Sequence, residues 1–111
     1  MAAINTVLIP AKTAENSQTT QYTSSNVKTI IDKLTATNYS AAAATISVNL
    51  VTSGDTAGNQ NLIVKSKTLQ PSETYSFPEI VGHTLLSGGF ISTIAGTATA
   101  INIRASGRTI S

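Results

Sequence analysis

The residues able to do chemistry are few and scattered. The chain has one histidine, His83, and no cysteine. Five carboxylates stand apart at Glu15, Asp32, Asp55, Glu73 and Glu79. Catalysis needs an acid, base or nucleophile oriented by a partner. No motif places a Ser or an Asp beside His83, so it reads as a partly exposed histidine near a helix end. With no thiolate and one imidazole, zinc and iron sites built on several such ligands are excluded. Asp55 sits in a glycine-containing loop, but the acidic ligand series of a calcium loop is missing around it. Gly88-Gly89 lacks phosphate-loop spacing and reads as a turn before a strand. Asn38-Tyr39-Ser40 matches the glycosylation pattern by chance, since no signal peptide precedes it. The expectation is a non-enzymatic protein with no catalytic, metal or cofactor-binding residues.

Composition describes the body that these residues decorate. The 111 residues amount to one domain, 11% of them charged, against about 25% in typical chains. Ser and Thr fill 31 positions and Ile, Leu, Val and Phe fill 27. That apolar share, with a net charge of +2, is enough for a folded core. The pI near 9.2 reflects seven dispersed Lys and Arg in a charge-poor chain. Neither a basic cluster nor aromatics within one are present, so nucleic acid is not an expected partner. No apolar run approaches the roughly 18 residues of a membrane span, and a membrane partner is not expected either. The N-terminus has no basic n-region and no long apolar stretch, which reads as a cytosolic, untargeted chain.

The patterning is that of strands. Ile46, Val48 and Leu50 alternate with Ser47 and Asn49, a period of two. Ile101 and Ile103 alternate with Asn102 and Arg104. Ile4–Ile9, Leu62–Leu69, Thr74–Phe77 and Phe90–Ile94 read as further strands. Over Val27–Thr37 the apolar parity switches, which implies a bulge, a twist or burial on both faces. Gly- and Pro-bearing turns separate these runs. Ala95-Gly96-Thr97 reads as a hairpin between the last two long strands. Ser106-Gly107 reads as a turn before a short final strand, Arg108–Ile110. Pro78–Leu86 carries helix-start signals and predicts one or two helical turns, weakened by Gly82. Ala11–Ser25 reads as a loop or extended arm.

These elements predict an all-β fold: an immunoglobulin-like or jelly-roll-like β-sandwich with one short helix and an extended N-terminal arm. The expected division is an N-terminal strand and arm over residues 1–26 and a sandwich over 27–111. Ile4, Val7, Leu8 and Ile9 form an apolar strand before a polar connector. Such a strand either adds to the sheet edge of another subunit or is the first strand of its own sandwich. Tyr22, with Tyr39 and Tyr75, is either an interface anchor or an ordinary strand residue. The candidate interface residues are therefore Ile4, Val7, Leu8, Ile9 and Tyr22.

The second half carries a resemblance. The run Leu69-Gln70-Pro71-Ser72-Glu73-Thr74-Tyr75-Ser76-Phe77-Pro78-Glu79-Ile80-Val81-Gly82-His83-Thr84-Leu85 continues through Leu86–Ala95 and closes with Ala100–Ile110. Upstream, Ile30–Asn38 is followed by Ala44–Val48. Over residues 27–110 this pattern resembles small virion structural proteins of tailed bacteriophages, encoded among the head and neck genes. The resemblance implies a capsid decoration, neck collar or head–tail connector protein, made in the host cytoplasm and located in the virion. Its implied partners are other copies of itself and the major capsid, portal or other neck proteins. No catalytic residues carry over. The alternative is a carbohydrate- or receptor-binding sandwich module of a fibre or cell-surface complex, disfavoured by the absence of Trp for sugar stacking.

Overall fold

The computed structural model describes residues 2–111. Among them nine strands occur: β1 (Ala3–Thr13), β2 (Thr19–Thr23), β3 (Lys28–Asn38), β4 (Ala44–Val51), β5 (Leu62–Leu69), β6 (Thr74–Ser76), β7 (Thr84–Leu85), β8 (Phe90–Ala95) and β9 (Ile101–Ile110). One sheet runs β1-β9-β3-β6, with β7 also paired to β3, and the other runs β2-β8-β4-β5. All pairs are antiparallel.

The pairing is nested. The first half of the chain pairs with the second half in reverse: β1 with β9, β2 with β8, β3 with β6 and β7, β4 with β5. Rolling this double ribbon sets β9 against β3 and β8 against β4, which closes two sheets over one core. That winding is a jelly roll, and it decides between the two sandwich types expected. The core contains Ile9, Ile31, Leu34, Ile46, Val48, Leu69, Phe77, Ile80, Ile91, Ile101 and Ile103, all buried.

The parity switch in β3 is a bulge. Thr29 and Ile31 point inward before it, and Leu34, Ala36 and Asn38 after it. The register against β9 slips between Ile31 and Lys33. One extra residue at that point moves the inward set from odd to even positions. A second bulge in β1, between Val7 and Ile9, explains why adjacent Leu8 and Ile9 are both buried.

Four expectations are corrected. Pro78–Leu86 is not helical. It makes two four-residue turns, Ile80 N–H to the Phe77 carbonyl (3.1 Å) and His83 N–H to the Ile80 carbonyl (3.1 Å). Gly82 takes φ +88° and donates to the Ile31 carbonyl at 2.7 Å, while Ile31 N–H donates to the His83 carbonyl at 2.9 Å. Pairing with β3 thus uses the groups a helix would need. Among the described residues the single helical feature is a 3-10 turn at Asn59–Asn61.

The second correction concerns Ala95–Thr97, which is no hairpin. It carries the chain from β8 in one sheet to β9 in the other, held by Gly96 N–H to the Thr45 carbonyl (2.9 Å). Third, Ser106-Gly107 is not a turn, because β9 runs through it unbroken. A Cβ at Gly107 would collide with the Ile30 carbonyl oxygen and crowd Leu8 Cδ1, so the residue marks close strand approach. Fourth, the stretch expected as an extended arm is built into the sandwich. β1 forms one margin of the first sheet and β2 one margin of the second, joined by Ala14–Gln18.

Candidate assembly interface

The five candidate interface residues separate into three environments. Leu8 and Ile9 belong to the core of their own chain, 4% and 0% exposed. Tyr22 packs against that core, and its hydroxyl shares a 2.8 Å hydrogen bond with Thr29 Oγ1. Thr29 Oγ1 also meets Ser24 Oγ at 2.8 Å, and Ser24 Oγ donates to the Val27 carbonyl at 2.7 Å. This hydroxyl chain fixes the β2–β3 corner, so Tyr22 acts as a strut. Ile4 and Val7 remain outside, 59% and 47% exposed.

Register explains why Ile4 is left open. Ile4 lies opposite Thr109, Thr109 opposite Thr29, and Thr29 opposite Leu85. Residues directly opposite in antiparallel strands share a face, so this row is the inner face of the first sheet. Thr29 and Leu85 are covered and Ile4 is not, because β2 ends at Thr23 and the chain turns toward β3. Val7 lies opposite Ser106 on the outer face. It borders a shallow hollow with Asn5, Asp32 and Ser106. There Arg108 makes a forked ion pair with Asp32, Nη2 to Oδ1 at 2.9 Å and Nε to Oδ2 at 3.0 Å. That carboxylate raises the Arg108 pKa further above its already high ordinary value.

A second surface lies beside β7. A groove of about 450 Å³ has Leu50, Val51, Ile63 and Leu85 as apolar lining and Ser53, His83, Thr84 and Ser87 as polar lining. Leu86, 67% exposed, and Val81, 49% exposed, lie on the same loop. Sequence reasoning missed both. The available signal was the adjacent pairs Ile80-Val81 and Leu85-Leu86, since only one member of each can point inward along an extended chain. His83 is exposed and has no side-chain hydrogen bond to a carboxylate or hydroxyl.

The remaining polar groups hold loops in place. Asn49, 2% exposed, donates to the Gly58 carbonyl (2.9 Å) and to Asn61 Oδ1 (2.7 Å), which folds the Thr52–Asn61 loop over β4. Asp55 lies within this loop, accepting from Thr56 N–H at 2.8 Å. Asn38 is wholly buried and donates to the Ala42 and Leu69 carbonyls at 2.8 and 2.9 Å. The nitrogen a glycan would need is thereby occupied. Lys12 Nζ lies 2.8 Å from Glu15, which also accepts from Gln21; these contacts hold the Glu15 carboxyl below the usual glutamate range. Across the opposite margin, Tyr75 donates to Glu79 at 2.7 Å, while Lys67 sits 4.5 Å above the Tyr75 ring. That hydrogen bond lowers the Glu79 pKa and raises that of Tyr75.

Among the described residues no three His, Cys, Asp or Glu side chains gather as a metal site. Every buried side-chain nitrogen or oxygen among them has a hydrogen-bond partner. No family model matches the chain, and neither a curated protein nor a solved structure matches it.

Proposed function

We propose that this protein is a non-enzymatic structural component of a tailed-phage particle, made in the host cytoplasm and bound in several copies to the capsid surface or the head–tail neck. The observation that carries the reading is a jelly-roll body whose β1 margin leaves Ile4 and Val7 uncovered within an uncharged run, Ala2–Ala11. Jelly rolls recur in viral capsid domains, where copies meet through exposed margins and loops. The resemblance over residues 27–110 supports the same class. Many small contacts of this kind sum through multivalency on a repeating surface.

The experiment is to mix the purified protein with particles assembled without it and sediment them. Saturable co-sedimentation at a fixed copy number is expected. Failure to bind any such particle overturns the reading. A stable ring of six or twelve copies in solution would favour the neck, and a dimer or trimer would favour decoration.

The groove beside β7 favours a second reading, a carbohydrate- or receptor-binding module, because lectin domains share the jelly-roll winding and Ser53, Thr84 and Ser87 line the groove with hydroxyls. A glycan array separates the two readings: binding removed by Leu86→Lys supports the module, and background signal on every glycan removes it.

A further inference from the structure

The two sheets expose margins of unequal character. β5 carries Lys65 and Lys67, with Ser66 between them in a left-handed conformation at φ +49°. β6 and β7 have three and two residues, and a turn divides them. β2 has five residues and slips register after Thr20. Charge, shortness and bulges are the usual devices that stop a margin pairing with another chain.

β1 is divided. Its second half has bulges, a proline and a charge: register shifts after Val7 and after Ile9, Pro10 and Lys12. Its first half, although five residues long, has neither a charge nor a bulge. Ala3–Val7 pairs with Ser106–Ile110 in unbroken register, and no charge occurs from Ala2 through Ala11. Ile4 points inward there and stays 59% exposed.

We infer that Ala3–Val7 is the pairing edge of a symmetric dimer, in which two copies meet antiparallel and their β1-containing sheets join into one. A two-fold axis perpendicular to the sheet keeps the inner faces of both copies on one side. With the axis at Asn5, Ile4 lies beside Thr6 of the second copy and Ala3 beside Val7. This register overlaps the whole regular run and stops before the bulge. The occupant is a second copy because the edge is neutral and so meets itself without like-charge repulsion. Arg108, opposite Asn5, is paired with Asp32, and Lys12 with Glu15, while Lys28 and Lys33 stand two strands away on β3. A five-residue strand pair is far smaller than a standard interface of about 1,600 Å². The dimer is therefore weak in solution and suited to reinforcement by a repeating surface. The inference deepens the assembly reading above, resting on it only for the biological use of the dimer.

Sedimentation equilibrium up to millimolar concentration tests it with Asn5→Lys and Asn5→Asp. Each places like charges across the axis. Wild type is expected to show a monomer–dimer equilibrium, and each variant a dissociation constant raised at least ten-fold with unchanged circular dichroism. An equimolar mixture of the two variants should restore a dimer, because Lys then faces Asp. A wild-type chain monomeric throughout, or a dimer indifferent to both variants, overturns the inference. Either result leaves particle co-sedimentation to decide the proposed function separately.

Discussion

Asn38 shows how one polar side chain can hold a corner of an apolar fold. It lies where the chain leaves β3 for β4, and all its hydrogen-bonding capacity is met inside the protein. Its Nδ2 bonds the Ala42 and Leu69 carbonyls, and its Oδ1 accepts from Ser40 N–H at 2.9 Å and Ser40 Oγ at 2.7 Å. Its backbone joins the β5–β6 turn, N–H to the Glu73 carbonyl (3.0 Å) and carbonyl from Ser72 N–H (2.8 Å). Asn38→Ala removes the Nδ2 donor shared by the Ala42 and Leu69 carbonyls, and urea denaturation should show a loss of about 2–3 kcal/mol. Tyr39→Ala next door, at an exposed side chain, should cost less than about 1 kcal/mol. Gly107 is the complementary case, where the absence of a side chain matters. Its inward position lies against the Ile30 backbone, which cannot rotate aside as a side chain can. Gly107→Ala should lose about 1–3 kcal/mol in the same measurement, as overpacking does, and alter the amide shifts of Ile30 and Leu8.

At the scale of elements, strands were legible and the connections between them were not. Ile46, Val48 and Leu50 announced β4 through their period of two, although its other face is covered as well, Asn49 lying beneath the Thr52–Asn61 loop. The β3 parity switch was legible only as a bulge, a twist or burial on both faces, and the register slip against β9 decides for the bulge. Pro78–Leu86 misled because Pro, Glu and Gly at those spacings serve a turn as well as a helix. Gly96 misled because a turn signal does not say which sheet the next strand joins. The interface run Ile4–Ile9 was half legible: its apolar character was plain, but the bulge that sends Leu8 and Ile9 inward while Ile4 stays bare depends on β9, a hundred residues away. The β1–β2 connection adds a pH dependence. Lys12 and Gln21 clamp Glu15 from either side of the connector, and its pKa is lowered as a result. A lowered native pKa means the contribution is complete above the unfolded glutamate value of about 4.3 and is lost as pH falls through the native value. Melting temperature should therefore fall between pH 5 and pH 3 more steeply in wild type than in Glu15→Gln. Equal slopes would show that the clamp adds nothing to stability.

At the scale of the whole molecule, the nested ribbon makes the two ends of the chain unequal. β9 is central to its sheet, pairing β1 on one side and β3 on the other, and it buries Ile101, Ile103 and Ala105. The first half of β1 pairs with β9 alone and adds little to the core. Deleting residues 2–7 removes about five residues of ladder, but it also frees those residues from an ordered conformation. The two effects are of similar size per residue. The shortened chain should keep one cooperative thermal transition, with a net loss of only about 1–2 kcal/mol. Deleting residues 101–111 parts β1 from β3 and strips three side chains from the core, so no cooperative transition should survive. The same shortened N-terminus separates folding from assembly. It lacks Ala3–Val7 and should remain monomeric at every concentration at which the full chain pairs. A folded, shortened chain that still dimerised would place the contact elsewhere, with the exposed Leu86 beside the groove as the next surface to alter.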